Sequence, residues 1–388
     1  MDNQGQIVIV GAGISGAVLA ERYASIGKKV LVLEKRNHIG GNCYDFYNED
    51  GILVSKYGAH LFHTNFEDVW EYVNRFSSWY FYEHRVLAKV DGQLVPIPVN
   101  ITTVNKLFNL NIQSETEMRT WLESVQIKNE YPRNSEEAAL ARVGPILYEK
   151  MFKNYTKKQW DKYPVELDAE VMNRIPVRDN FDDRYFSDKY QALPVGGYTQ
   201  IFEKMFDHPL IQVRLNTDYF DIKNDIGKYE KLFYTGPIDR FFEFKFSLEK
   251  KLEYRSINFV WETYDQEFYQ PNSVINYPSF DDGEFTRIVE YKHFTKQQHP
   301  KTTISKEYSI DHVEGLTEPY YPVPNPENKA LYEKYRQETE KLTDIYFVGR
   351  LANYKYFNMD QAFKNALDLF TQLENSPSSK AQHVEPTT

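Results

Sequence analysis

Three groups of residues in this chain have types and spacings that could do chemistry. The first is Gly11-Ala12-Gly13-Ile14-Ser15-Gly16, flanked by an apolar run before it and a helical pattern after it. Gly11 permits a tight turn, Gly13 lets the backbone at Ile14 and Ser15 approach a pyrophosphate, and Gly16 allows close helix–strand packing. The helix N-terminus behind them favours negative charge. Glu34 lies 18 residues after Gly16, at the end of the next apolar run, where an acid accepts from a ribose hydroxyl. Lys35 and Arg36 follow it, then Gly40-Gly41 and Asn42. A double glycine lets a second backbone segment reach the nucleotide, although an ordinary turn is the plainer reading. At the far end, Gly349-Arg350 closes another apolar run and Met359-Asp360 opens a helix, bringing a cation and a second helix start. No second, NAD-type glycine motif is present. Together these features point to a dinucleotide site, and to FAD rather than NAD.

The second group is His60 and His63, within Tyr57-Gly58-Ala59-His60-Leu61-Phe62-His63-Thr64. Their spacing could place both on one helical face, but Gly58 argues for a loop. No HExxH pattern or nearby carboxylate completes a metal site, so none is expected. A flavin-facing role and a structural role both stay open. The third group pairs arginine with aromatics. It comprises Tyr155-Thr156-Lys157-Lys158-Gln159-Trp160, then Arg174 and Arg178, then Arg287. Arginine grips phosphate bidentately and an aromatic ring stacks a base. For any single arginine a surface salt bridge is the alternative.

The elements that must position these residues can be read coarsely. Residues 6–10 and 30–33 are short buried strands, and 14–26 is a helix closed by Gly27, so the unit is a parallel, right-handed strand–helix–strand. Asn65 to Phe76 reads as a helix capped by Asn65. Tyr80 to Val90 and Gln93 to Val99 read as a hairpin around Asp91-Gly92. Residues 102–160 are helical, with starts at Ser114 and Asn134. The polar stretch 161–194 lacks periodicity, and so long an irregular segment carries function or moves. Beyond it come a helix over 196–206 and strands near 211–215, 231–235, 254–263, 285–294, 302–309 and 344–348. A last helix covers 359–373, and 376–388 read as a disordered tail.

Composition sets the outer bounds. At ~150 residues per domain, 388 residues suggest two to three domains. The 41 % apolar content suits a globular core and excludes a disordered or fibrous chain. A formal net charge of −10 repels phosphate backbones, which argues against nucleic-acid binding. The single cysteine, Cys43, excludes an internal disulfide and a CxxC pair. No run approaches the ~18 apolar residues of a membrane helix, and the first residues do not look like a signal peptide. A cytoplasmic protein without membrane insertion is expected. The aromatic share is 16 %, and the 30 Tyr cannot all be core, which hints at polar, stackable ligands.

At this point the chain resembles the bacterial UDP-galactopyranose mutases. The matching segments are residues 11–16, 34–42, 57–64, 155–160, 182–185, 286–294, 319–323 and 349–360, which span almost the whole chain. The resemblance implies an α/β fold of three parts. A Rossmann-like FAD-binding domain would take residues 1–78, about 195–240 and 340–375. An inserted helical domain would take about 100–165, with a mobile loop to 180. An antiparallel-sheet substrate domain would take about 79–99, 181–194 and 241–325. It also implies interconversion of nucleotide-bound hexopyranose and hexofuranose, by attack of reduced FAD N5 on the anomeric carbon. An external reductant and a homodimer belong to that picture.

The same resemblance assigns roles. Arg174 and Arg287 hold the diphosphate, while Tyr155, Thr156 and Trp160 line the uridine pocket. Tyr185, Tyr356 and either Tyr320 or Tyr321 contact diphosphate or sugar. His60, His63 and Arg350 stand near the FAD. Two positions depart from the family pattern, His84 where Asn is usual and Asn358 where Asp is usual. Both resemble sugar-facing positions, so a 6-deoxyhexose on dTDP competes with UDP-galactose. A flavin oxidoreductase and a non-catalytic nucleotide-sugar binder are the readings outside this family.

Overall fold

The computed structural model describes residues 5–174, 176–246 and 251–375. The expected tail at 376–388 and the first four residues lie outside them. The chain opens with strand β1 (Gln6–Val10), helix α1 (Ile14–Ser25) and strand β2 (Val30–Leu33). Ile7, Val8 and Ile9 are fully buried, the mark of a parallel strand covered on both faces. Three strands from far along the chain complete this sheet. The strands at residues 211–214, 30–33, 6–10, 229–234 and 345–347 lie side by side in that order, all parallel. Helix α1 packs against the last helix, Met359–Asn375, on one face. The opposite face carries Val8, Leu31 and Leu232 into a second apolar cluster with Leu331 and Tyr335 of the helix Pro326–Thr339.

The second large sheet has seven strands, in the order 321–322, 254–264, 302–311, 287–290, 274–276, 86–90 and 93–97. Its pairings are antiparallel except that 274–276 runs parallel to 86–90, a departure from the purely antiparallel expectation. The Asp91-Gly92 hairpin is as read, with both residues at positive φ, 49° and 77°. Helices between residues 101 and 173 stack beside this sheet. Their N-caps Ser114 and Asn134 accept from the N–H groups of Glu117 and Glu137, as the sequence suggested.

Other expectations need correction. The 65–76 helix covers only Glu67–Val73, and Asn65 does not cap it. The Asn65 side chain instead donates to Asp188 and accepts from the Lys189 N–H, tying a neighbouring loop. Trp79–Phe81 stands apart from the hairpin and pairs with 190–194, where Trp79 packs beside Phe62. The 285–294 run breaks into a strand, Arg287–Glu290, and a short helix, Lys292–Thr295. The 161–194 stretch contains a helix at Ala169–Asn173 and a strand at Tyr190–Pro194.

Candidate functional site

A cleft of about 230 Å3, open to solvent, runs along the C-terminal edge of the parallel sheet. Its floor is backbone. The N-terminus of α1 has no side-chain cap and no acidic residue in its first turn, so its N–H groups are left for an anion. A Cβ on Gly16 would lie 1.9 Å from the Gly11 carbonyl, and one on Gly41 would lie 2.8 Å from the Gly13 Cα. Glycine is therefore required for the two backbone segments to meet. Gly11, Gly13, Ile14, Ser15, Lys35, Asn42, Arg350 and Met359 all line the cleft, as does His60. Gly16 lies beneath the turn. Asp360 is buried in the first turn of the last helix without lining the cleft, its Oδ1 lacking a partner.

Glu34 and Arg36 also line it, each with an internal engagement. The Glu34 carboxylate accepts from the Ala12 N–H at 2.8 Å and the Arg36 N–H at 2.9 Å, which buttresses the glycine turn. Arg36 lies over the Tyr57 ring, 4.4 Å from its centroid, and pairs with Glu318 at 2.8 Å. Burial alone would raise the Glu318 carboxyl, but Arg36 and Lys35 bring it down to about 2. Nothing in the sequence around Glu318 signals this contact, since it joins residues 282 apart.

His60 and His63 part company. The His60 Nδ1 faces the Gly58 carbonyl at 2.9 Å, so it must carry the proton and leave Nε2 as a bare acceptor. Burial, reinforced by Arg350, pulls this imidazole down to about 4, so it is neutral near pH 7. His63 is buried, stacked on Phe186 with centroids 3.6 Å apart, and its Nδ1 faces Asp188 at 3.0 Å. It does not line the cleft.

Beyond Arg350 the cleft meets a cluster of rings and cations. Tyr321 stacks on Tyr356 at 4.9 Å, and Trp160 stands 6.1 Å from Tyr356. Arg350 lies over both tyrosine rings. Tyr320 turns the other way, lining the dinucleotide cleft near Tyr57, so the two candidates separate by the alternation of a strand. Tyr155 and Thr156 sit on the helix Asn154–Trp160, which continues a π-helical turn at Tyr148–Lys153. Such turns recur at functional sites. Lys158 on that helix is buried. Its Nζ donates to the carbonyls of Tyr277 and Ser279 at 2.7 and 2.6 Å, tying the helix to the strand segment before Arg287.

The two candidate arginines are held differently. Arg287 donates through Nε to Glu307 at 2.6 Å, and Glu307 is 1 % exposed. The two face each other on adjacent strands, and Asn276 lies opposite Arg287 on its other side. Residues so paired share one face of the sheet. Glu307 Oε1 and Asn276 Oδ1 are both buried without partners, as is His84 Nδ1. Burial, with Arg287 and His63 nearby, pushes His84 down to about 3. Arg174 closes the site from the opposite side. Its guanidinium lies 3.8 Å over the Tyr356 ring and donates to the Tyr356 carbonyl and to Asn358 Oδ1. Burial raises the Tyr185 phenol, whose proton also feels the charges of Arg287 and Arg174. Arg178 stays apart, paired with Asp182. Glu307 and Asn276 were not singled out from sequence, because only strand register brings them to Arg287.

Residues 150–356 match the family model described as UDP-galactopyranose mutase, and residues 9–76 match a NAD(P)-binding Rossmann-like domain. The chain is 37 % identical to a probable UDP-galactopyranose mutase of Klebsiella pneumoniae, covering 98 % of this chain and 97 % of that protein. The chain belongs to the UDP-galactopyranose mutase family. It is accordingly a nucleotide-sugar mutase, an isomerase. It is also 38 % identical to a dTDP-fucopyranose mutase of Escherichia coli, covering 94 % of this chain and 97 % of that one. The fold matches a crystal structure of reduced UDP-galactopyranose mutase, with TM-score 0.76 and 19 % identity over 98 % of this chain and 97 % of the other. The mutase family thus spans both the backbone cradle and the arginine cluster.

Proposed function

We propose that this mutase interconverts the pyranose and furanose forms of a hexose carried on a nucleoside diphosphate, UDP-galactose first, with FAD as its working cofactor. The observation that supports it best is the continuity of two sites. A pyrophosphate-binding backbone cradle opens, past Arg350, onto aromatics flanked by Arg174 and Arg287. The cradle fits FAD because its uncapped helix start and Gly13–Gly41 contact leave N–H groups, not side chains, toward a pyrophosphate. Gly11, Gly13, Ile14, Ser15 and Gly41 would hold that group, with Glu34 and Arg36 toward the ribose and Met359 and Arg350 toward the ring system.

Bound in its reduced form, a flavin would supply a nucleophile toward the anomeric carbon, chemistry that needs no net redox change. The chain's own residues do the rest. Arg174 and Arg287 bind the diphosphate and stabilise the charge it gains on leaving. Trp160, Tyr155 and Thr156 seat the base, and Tyr185, Tyr321 and Tyr356 offer hydroxyls to diphosphate and sugar. His60, held neutral, places an acceptor at the cleft rather than a second positive charge. The reading also includes an external reductant, a homodimer, a cytoplasmic setting and a division of the chain into cofactor, helical and substrate parts. Among the described residues no helix is long and apolar enough to cross a membrane.

A second substrate is favoured by His84 and Asn358. Both are neutral in this chain, and the relatives named for UDP-galactopyranose and dTDP-fucopyranose stand at nearly equal identity. The test is conversion of UDP-galactofuranose and dTDP-fucofuranose side by side, with and without dithionite, scored by chromatography. Conversion to pyranose only under reduction is expected, and the faster substrate assigns the sugar. Flavin bound and reducible but neither sugar converted, with peroxide released in air, would replace the mutase reading with an oxidoreductase.

A further inference from the structure

Lys158 stands between Tyr155 and Trp160 on the helix Asn154–Trp160, and its side chain is buried. Burial pulls its ammonium down to about 8, so it still carries its proton near pH 7. No carboxylate lies within ion-pair distance of it among the described residues. Glu284 and Asp282 act on it only from farther away, and Asp282 is engaged by Lys89. The three ammonium protons go instead to backbone carbonyls, those of Tyr277 at 2.7 Å, Ser279 at 2.6 Å and Phe285 at 3.2 Å. All three belong to one loop. It joins the strand 274–276 to the strand 287–290 and ends two residues before Arg287. The next helix residue is anchored too, since the Gln159 carbonyl accepts from Arg255 Nε at 3.3 Å and from Ser309 Oγ.

We infer that Lys158 is a positioning residue that sets the spacing between the aromatic base seat and Arg287, so that one nucleoside diphosphate reaches both. Base and diphosphate are joined through a ribose, so the ligand has a fixed reach. Two contacts on one ligand reinforce each other only when the subsites stand that far apart. Tyr155 lies one turn before Lys158, and the Arg287 charge is felt at its phenol. Trp160 lies two residues after it. The acceptors suit the role, because main-chain carbonyls move with the strand that carries Arg287, whereas a carboxylate side chain could swing without it. Burying a cation is costly unless its protons find acceptors, and here every acceptor lies on the loop whose place is being set.

This inference rests on the reading of a base seat at Tyr155 and Trp160 and a diphosphate site at Arg287, and the experiment separates the two. Flavin-loaded wild type and Lys158→Met are compared for binding of UDP, uridine and pyrophosphate by calorimetry and competition. In Lys158→Met, UDP is expected to bind about tenfold more weakly, as for loss of a charge-assisted hydrogen bond. Uridine and pyrophosphate should each stay within about twofold of wild type, because neither fragment needs the spacing. Lys158→Gln, which keeps two N–H donors without the charge, should lose less than the Met variant. A Met variant that binds UDP as wild type does would overturn the inference. So would equal losses for UDP and for either fragment, since that is damage to one subsite rather than to the distance between them. If the Met variant does not fold, the same ratio of UDP to fragment losses in Lys158→Gln decides. Wild type binding UDP no more tightly than pyrophosphate or uridine would instead remove the two-subsite reading itself.

Discussion

The dinucleotide cradle and the arginine–tyrosine cluster adjoin, yet they are made from different material. The cradle is backbone. Its binding groups are N–H donors at a helix start, and glycines exist there to keep side chains out. The cluster is side chain. Arg174, Arg287, Tyr321, Tyr356 and Trp160 arrive from five separate stretches of sequence and are oriented by one another. A backbone site fails when something is added, and a side-chain site fails when something is taken away. The comparison also explains where charge resides. The cradle offers partial charges spread over peptide dipoles, whereas the cluster concentrates full charges on three guanidinium groups.

The largest expected effect comes from removing a charge in the cluster. Arg287→Ala should lower turnover by roughly 10^3-fold or more, of the order seen for loss of a transition-state donor, while flavin absorbance stays. It should also cost about 3–5 kcal/mol of stability, because Glu307 is left buried and unpaired. Turnover and denaturant unfolding on the same preparation check both. Adding a methyl to the cradle is the converse. Gly16→Ala places its Cβ 1.9 Å from the Gly11 carbonyl, and the purified protein is expected to lack bound flavin. If it retained flavin at wild-type stoichiometry, the requirement for glycine there would be wrong.

A subtler variant separates position from charge. Glu307→Gln keeps a hydrogen-bond acceptor for Arg287 Nε but drops the ion pair. A loss of about tenfold to a hundredfold in kcat/KM is expected, smaller than for Arg287→Ala, since the guanidinium remains. Equal losses would mean that Glu307 acts on substrate rather than on Arg287.

The smallest effect concerns pH. His60 and His84 are held down to about 4 and about 3 against an ordinary 6.5. In the unfolded chain each takes a proton as pH falls through about 6.5, while the folded protein resists. Stability should therefore decline from about pH 6.5 downward, by about 1 kcal/mol per histidine for each unit of pH, until each folded histidine also titrates. Unfolding midpoints of wild type and His84→Asn, measured from pH 7 to 5, should converge as the pH is lowered. Parallel curves would show that His84 already takes a proton in the fold.

Legibility in the sequence followed the same division. The glycine turn, the first helix and the strand ending at Glu34 were readable because their constraints are local, spanning a few residues on one strand and one helix. The Asp91-Gly92 turn and the N-caps at Ser114 and Asn134 were readable for the same reason. The arginines and aromatics were readable as residue types suited to a nucleoside diphosphate, but their separate roles came only by resemblance, since no periodicity links residues 174 and 287. Glu307, Asn276 and Glu318 escaped both routes. They act through register or through a contact between segments far apart in sequence, and neither leaves a mark on the residues nearby.

By itself, then, the order of residues determined the parallel unit and the pyrophosphate turn, while the placing of Tyr320 and Tyr321 on opposite sides came from the structure. The residue order also determined that Asn358 is neutral. Only the tertiary structure decided that this amide meets Arg174, that Glu307 neutralises Arg287, and that His63 turns away from the cleft His60 lines. The physical reason is range. Backbone conformation is set by neighbours along the chain, but Coulomb interactions and hydrogen bonds between side chains depend on distance in space, which packing alone establishes.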